Sequence, residues 1–231
     1  MEISKQIFII GSGRCGTTWI GQWLRQHPEA FGGPETHLFA ILDLLINPSW
    51  EQGVKRWLSY DLLMDKIKLF AIDLLGSCKF RQNNEPYLIE HSSIHYFHKT
   101  IIKKIFPDAL FVHIYRDGRN VVESWLRTNP SKTHSEHIGL WKQIITDMQA
   151  NKDDNTLNIQ YEDIMENPQK SRIITEFLGL KHHKDIDSWE FPVNTSNFSY
   201  DYNRWKTLPK HIQEEFKQTE IQNLLKSLSY L

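Results

Sequence analysis

The segment "GSGRCGTT", Gly11–Thr18, puts three glycines, an arginine and two threonines directly after the apolar run "QIFII". Glycines let a backbone turn tightly enough to aim several N–H groups at one anion, and a helix starting there adds the partial positive charge of its N-terminus. The spacing fits the phosphate-binding pattern G-x-x-x-x-G-K-[ST] except at the lysine, whose place Thr17 takes. Arg14 supplies a cation inside the loop instead. A second set comes later: Arg116 closes the run "ALFVHIYR", and Ser124 follows eight residues on, about two helical turns away. Arginine is an always charged, two-pronged partner for phosphate, and the serine hydroxyl adds one donor. A third set, Glu35 and His37 in "GGPETHLF", offers proton acceptors. A hydroxyl is a poor nucleophile until a positioned base takes its proton, and partial burial is expected to strengthen Glu35 for that task. The plainer reading of Glu35 is an acidic residue near a helix N-terminus.

These groups need a scaffold that brings them together. "QIFIIGS" reads as a buried strand of a parallel sheet, and "GTTWIGQWLRQHP" as a helix stopped by Pro28. "YLIEH" (Tyr87–His91), "ALFVHIYR" (Ala109–Arg116) and "TLNIQYED" read as further strands. Helical runs follow two of them, "RNVVESWLR" and "QKSRIITEFLGL". Strands alternating with helices indicate one α/β domain, residues 1–231, with a central parallel sheet flanked by helices and a P-loop-like core. Residues 47–84 read as a helical, aromatic cap with Trp50, Trp57, Tyr60 and Phe70. The cap packs on the sheet in one reading and also walls an acceptor pocket in the other. The C-terminal "LPKHIQEEFKQTEIQNLLKSLSYL" reads as one or two amphipathic helices.

The 231 residues suffice for one well-packed domain. A net charge of −1 calls for neither nucleic acid nor an anionic membrane. Two cysteines, Cys15 and Cys78, make no disulfide framework and have no zinc-ligand spacing, and the scattered histidines form no convincing metal set. No apolar run approaches the ~18 residues of a membrane helix, and "MEISKQ" has no signal-peptide pattern. A soluble, cytoplasmic protein is expected.

"GRCGTTW", Gly13–Trp19, resembles the 5′-phosphosulfate loop of sulfotransferases that use PAPS (3′-phosphoadenosine 5′-phosphosulfate), with arginine at position 14 as in tyrosylprotein sulfotransferases. "YRDGRNVVESW" is similar to the family's 3′-phosphate signature, an arginine at a strand end and a serine in the next helix. "YEDIMENPQKSRIITEFLGL", Tyr161–Leu180, is similar to a later segment whose tyrosine lies near the adenine, so the resemblance spans roughly Ile7–Leu180 with a gap over the cap. Glu35 falls where tyrosylprotein sulfotransferases place their catalytic glutamate, and "ETHLF" resembles "E-x-H-F-F" of heparan-type carbohydrate sulfotransferases. The resemblance implies transfer of a sulfuryl group from PAPS to an acceptor hydroxyl, releasing PAP (adenosine 3′,5′-bisphosphate), without a metal. It implies that Arg14, Cys15, Gly16, Thr17 and Thr18 hold the phosphosulfate, Arg116 and Ser124 the 3′-phosphate, and Tyr161 the adenine side. Trp19 is either near the nucleotide or in the core. Glu35 is the implied base. For His37, sharing the proton, orienting Glu35, holding the acceptor and simple packing all stay open. A small-molecule or carbohydrate acceptor is expected.

Two departures stand out. Where many relatives carry E-K-T-P, this chain has "EHSS", Glu90–Ser93. His91 replaces the lysine, as a pH-dependent substitute or as a loss, and Ser92 keeps a hydroxyl. In "NRWKTLPK", Arg204 and Lys206 resemble a late phosphate-binding W-K element, but the Arg-Lys-Gly set that precedes it in cytosolic members is absent. A P-loop kinase is the alternative enzyme, opposed by the missing lysine. A non-catalytic PAP-binding or phosphate-binding module is the other alternative.

Overall fold

The computed structural model describes residues 3–151, 153–181, 183–187 and 202–231. Five parallel strands lie in the order β2-β3-β1-β4-β5. They are β1 (Lys5–Gly11), β2 (Ala30–Phe31), β3 (Tyr87–Glu90), β4 (Leu110–Tyr115) and β5 (Thr156–Gln160). The central strand explains the layering. Ile7 and Ile9 enter one apolar cluster and Phe8 and Ile10 the other, as the two-residue period of a strand requires. All four are buried, so β1 reads as an unbroken apolar run.

Helices α1 (Thr17–Leu24), α2 (Leu38–Gln52), α3 (Tyr60–Gly76), α4 (Lys99–Ile105) and α5 (Gly118–Thr128) alternate with the first four strands. Then come α6 (His134–Ala150), α7 (Tyr161–Glu166), α8 (Arg172–Phe177), α9 (Lys184–Asp187), α10 (Lys210–Glu215) and α11 (Thr219–Ser227). A third cluster joins α5 and α6 to the C-terminal helices through Val121, Trp141, Leu208, Phe216 and Leu225.

Several expectations need correction. The segment "TLNIQYED" is not all strand: its last three residues open α7. Some elements escaped the sequence, among them α4, β2 and α6. β2 is only two residues long, held by pairing to Tyr87 and Leu88. The long α6 is set by a capping box, with Thr133 and Glu136 each bonding the other's backbone N–H. The cap packs on the sheet through Ile67, Ala71 and Leu75 of α3, while Trp57 and Phe70 are exposed. The Trp50 side chain lies outside the described residues. No helix among the described residues is long and apolar enough to cross a membrane.

β1 is flanked by β3, which continues toward β2, and by β4, which starts the other wing. Their carboxyl ends therefore form the switch point at which open α/β sheets bind ligands.

One buried group makes the core sensitive to acid. His113 of β4 is buried, its Nδ1 lies 3.2 Å from Asn158 Oδ1, and its Nε2 has no hydrogen-bond partner. Burial, helped by the charge of Lys99, lowers its pKa from 6.5 to about 4 despite the Asn158 bond. Between those values the unfolded chain binds a proton that the folded chain refuses, so stability falls as pH drops through the window. Urea titrations should show a His113-dependent loss on the order of 2 kcal/mol from pH 7 to pH 5. His113→Gln should flatten that profile, and an unchanged slope would refute the assignment.

Candidate active site

The loop between β1 and α1 turns through three residues with positive φ: Gly13 at 77°, Arg14 at 55° and Gly16 at 95°. Gly16 is required twice over. Its backbone is left-handed, and a Cβ there would lie 2.7 Å from the Tyr161 ring. Gly16 is also the N-cap of α1, and no side chain caps the helix. The first N–H groups of α1 thus open onto a cleft of about 790 Å³ lined by Gly11–Arg14, Gly16–Trp19 and Glu35 on one side.

The two expected anion sites meet. Arg14 Nε donates to Ser124 Oγ at 3.0 Å, and Arg116 Nη1 donates to the Arg14 carbonyl at 3.2 Å. The Arg116 guanidinium lies 4.6 Å from the Tyr161 ring centroid. Its Nε is buried without a hydrogen bond, 3.9 Å from Glu162 Oε1. Arg116 as a residue lines the cleft beside a helix N-terminus and a second arginine, a setting that suits a phosphate oxygen. Glu162 is itself anchored: its pKa is raised by burial, against hydrogen bonds from the Tyr230 hydroxyl at 2.7 Å and the Asp117 N–H at 3.2 Å.

Glu35 stands at the rim. Thr18 Oγ1 lies 3.5 Å from its Oε1, and His37 Nε2 lies 3.7 Å from its Oε2. The Glu35 side chain is 34% accessible, so the expected partial burial is present although the turn that carries it is exposed. His37 neighbours Glu35 without lining the cleft, and its backbone is left-handed at φ 52°.

The other expected residues divide. Thr17, Thr18, Trp19, Tyr161 and Arg204 line the cleft. Trp19 is at once core and cleft wall. Arg204 Nε pairs with Glu123 Oε1 at 3.3 Å. Lys206 is a correction: it is exposed, 6.0 Å from the Trp205 ring centroid, and does not line the cleft. The Cys15 side chain is another. Its thiol is buried in the core beside Gly11, with its pKa raised to about 11 by that burial, so only its backbone belongs to the loop. His91 is a third. It packs against Gly21 of α1 with Nδ1 3.2 Å from Arg25 Nη1, and burial with the Arg25 charge lowers its pKa. A neutral ring facing α1 cannot replace a lysine in the cleft. Ser92 is buried too and turns toward Glu90.

The sequence missed the other wall: Ser93, Ile94, Phe97, Asn120, Glu123, Trp125, Arg127, Lys132, His137 and Leu140. Asn120 holds the C-terminal strap, donating to the Tyr202 carbonyl at 2.9 Å and accepting from the Trp205 N–H at 3.2 Å. Its position one helical turn before Ser124 was the available signal. Among the described residues, none of residues 47–84 lines this cleft, so the cap does not wall it.

The fold and cleft define a P-loop-like α/β protein whose glycine-rich loop has threonine in place of the P-loop lysine and whose cleft gathers Arg14, Arg116, Arg127 and Arg204. The family model described as the sulfotransferase family matches residues 6–185, and the chain belongs to that family. Protein-tyrosine sulfotransferase A of Caenorhabditis elegans is 26% identical over 211 residues, covering 79% of this chain and 53% of the relative. Protein-tyrosine sulfotransferase 1 of Danio rerio is 24% identical, covering 78% and 56%. The chain thus spans about half the length of these curated relatives. The sulfotransferase domain of the Synechococcus PCC 7002 olefin synthase shares the fold, at TM-score 0.63 and 19% identity over 100% of this chain and 97% of that one. A mouse sulfotransferase solved with PAP does so at TM-score 0.55 and 16% identity, over 96% and 85%.

Gly16→Ala should cost at least tenfold in anion affinity, because strain and the Tyr161 ring both displace the loop. Calorimetry with PAP checks this, and parental affinity would show that the loop does not hold the anion.

Proposed function

We propose that this chain transfers a sulfuryl group from PAPS to an acceptor hydroxyl and releases PAP. The observation that carries the reading is the joining of Arg14, Ser124 and Arg116 in one cleft, with Glu35 on its rim. Family membership and the absence of the P-loop lysine favour it over a kinase. In the proposed step the acceptor oxygen attacks sulfur as the bond from sulfur to the bridging phosphate oxygen breaks. The electron pair leaves on PAP and the acceptor proton passes to Glu35. The loop N–H groups, Thr17 and Thr18 bind the 5′-phosphosulfate, and Arg14 offsets charge growing on the bridging oxygen. Arg116 and Ser124 bind the 3′-phosphate, which separates PAPS from ATP, and Tyr161 with Trp19 borders the nucleotide.

The wall beside Ser93, made by Ile94, Phe97, Trp125 and Leu140, is apolar. The proposed acceptor is therefore a hydroxyl on an apolar or aromatic body. That class takes in the tyrosine phenol named by the relatives and suits a carbohydrate less well. The free thiols of Cys15 and Cys78 favour a reducing compartment, so the cytoplasm belongs to this proposal, and cell fractionation tests it.

Calorimetry should show PAP bound well above ADP, with Arg116→Ala losing about tenfold to a hundredfold in PAP affinity. Equal affinity for PAP and ADP would overturn the donor assignment. With labelled PAPS, Glu35→Ala should lower kcat by about a hundredfold or more while PAP affinity is retained. Unchanged turnover would remove Glu35 as the base. Phe97→Ala should raise the acceptor KM and leave the PAPS KM unchanged; the reverse pattern would place the acceptor elsewhere.

A further inference from the structure

Glu35 lies on the exposed turn between β2 and α2, and its own side-chain contacts are weak. The Thr18 hydroxyl is at 3.5 Å and the His37 ring at 3.7 Å. A base must come within about 2.6–3.2 Å of the oxygen it deprotonates, and a 1 Å displacement can cost a hundredfold. The backbone of the turn must therefore set its position.

That backbone is tied down from below. Thr36 N–H donates to Glu90 Oε1 at 3.1 Å and to Ser92 Oγ at 3.0 Å. The Thr36 hydroxyl donates to Glu90 Oε1 at 3.0 Å, and His37 N–H donates to Ser92 Oγ at 3.1 Å. The Ser92 hydroxyl donates to Glu90 Oε1 at 2.6 Å, and the Ser92 N–H donates to Oε2 at 2.9 Å. His95 Nδ1 lies 2.7 Å from Oε2, an ion-pair contact whose angle falls short of a hydrogen bond. The other ring nitrogen of His95 accepts the Phe39 N–H at 3.3 Å, at the start of α2, which fixes the tautomer with the proton on Nδ1. Glu90, Ser92 and His95 are all buried and none lines the cleft. Burial alone would raise the Glu90 pKa, but the His95 contact and the Ser92 bonds outweigh it and lower it to about 2. The acceptor at the centre is thus a stable carboxylate. It also offsets the left-handed backbone of His37, a strained geometry that persists only where surrounding bonds enforce it.

We propose that Glu90 and Ser92 form a buried clamp that holds the turn carrying Glu35 at the height proton abstraction needs. They are positioning residues that act through Thr36 and His37. The inference rests on Glu35 being the base.

The test uses Ser92→Ala and Ser92→Thr, with Thr36→Val as a variant that disturbs the clamp from its exposed side. Amide exchange followed by NMR should rise at least tenfold at Thr36 and His37 in Ser92→Ala, with β3 and α1 unchanged. With PAPS, kcat should fall about tenfold or more while PAP affinity stays within twofold. Ser92→Thr should restore both, Thr36→Val should lower kcat in part, and Ser92→Ala should add nothing in a Glu35→Ala background. Unchanged exchange at Thr36 and His37 overturns the clamp. Raised exchange with kcat within twofold, or a full further loss in the Glu35→Ala background, overturns its positioning role. A parent protein that transfers no sulfuryl group from PAPS overturns the proposed function instead, and the exchange data still decide the clamp.

Discussion

Arg116 is a charged group placed where charge is costly. It sits at the carboxyl end of β4 with its guanidinium over the Tyr161 ring and one N–H on the Arg14 carbonyl. Removing a guanidinium from water is unfavourable unless its protons are met. Here the ring face, the loop carbonyl and the nearby Glu162 carboxylate share that task, and the Nε proton is left buried without a hydrogen bond. Glu162 needs support in turn, which the Tyr230 hydroxyl at the C-terminus provides. Arg119 closes the circuit: it bonds Asp117, donates to the Tyr230 carbonyl and stacks on Trp205. Arg116 and Arg119 together thus link the glycine-rich loop, the start of α5, α7 and the last residues of the chain.

The cleft has two halves of different character. The glycine-loop half is built from backbone and from the buried Thr17, Ser124 and Tyr161, with Gly16 packed against the Tyr161 ring. The half that carries the proposed base is an exposed turn, and polar groups beneath it do the work that apolar packing does elsewhere. "EHSS" belongs to this second half. Glu90 and Ser92 face the turn, whereas His91 faces α1 because successive residues of an extended chain point to opposite sides. A lysine at position 91 would meet Gly21 and Arg25 in the same place, which gives the histidine a packing role.

The glycine spacing of Gly11–Thr18, the apolar period of β1 and β4, and the arginine at the end of "ALFVHIYR" were legible because each is a local pattern with a local cause. Sequence alone determined the parallel α/β architecture and the glycine turn after β1, and it singled out Arg116 and Ser124, which both line the cleft although Ser124 bonds Arg14. It also drew attention to Glu35, though through resemblance more than through any property of the residue. Only the tertiary structure decided which side chains share the cleft. Arg204 and Asn120 reach it and Lys206 does not. Cys15 turns into the core, and the apolar wall comes from Ile94, Phe97, Trp125 and Leu140 in place of the cap. Two-residue β2 and the clamp beneath Glu35 were equally hidden. The reason is physical: periodicity and turn chemistry act over a few residues, whereas Thr36 finds Glu90 across 54 positions of chain. Contacts at that distance exist only after the sheet has set the strands side by side.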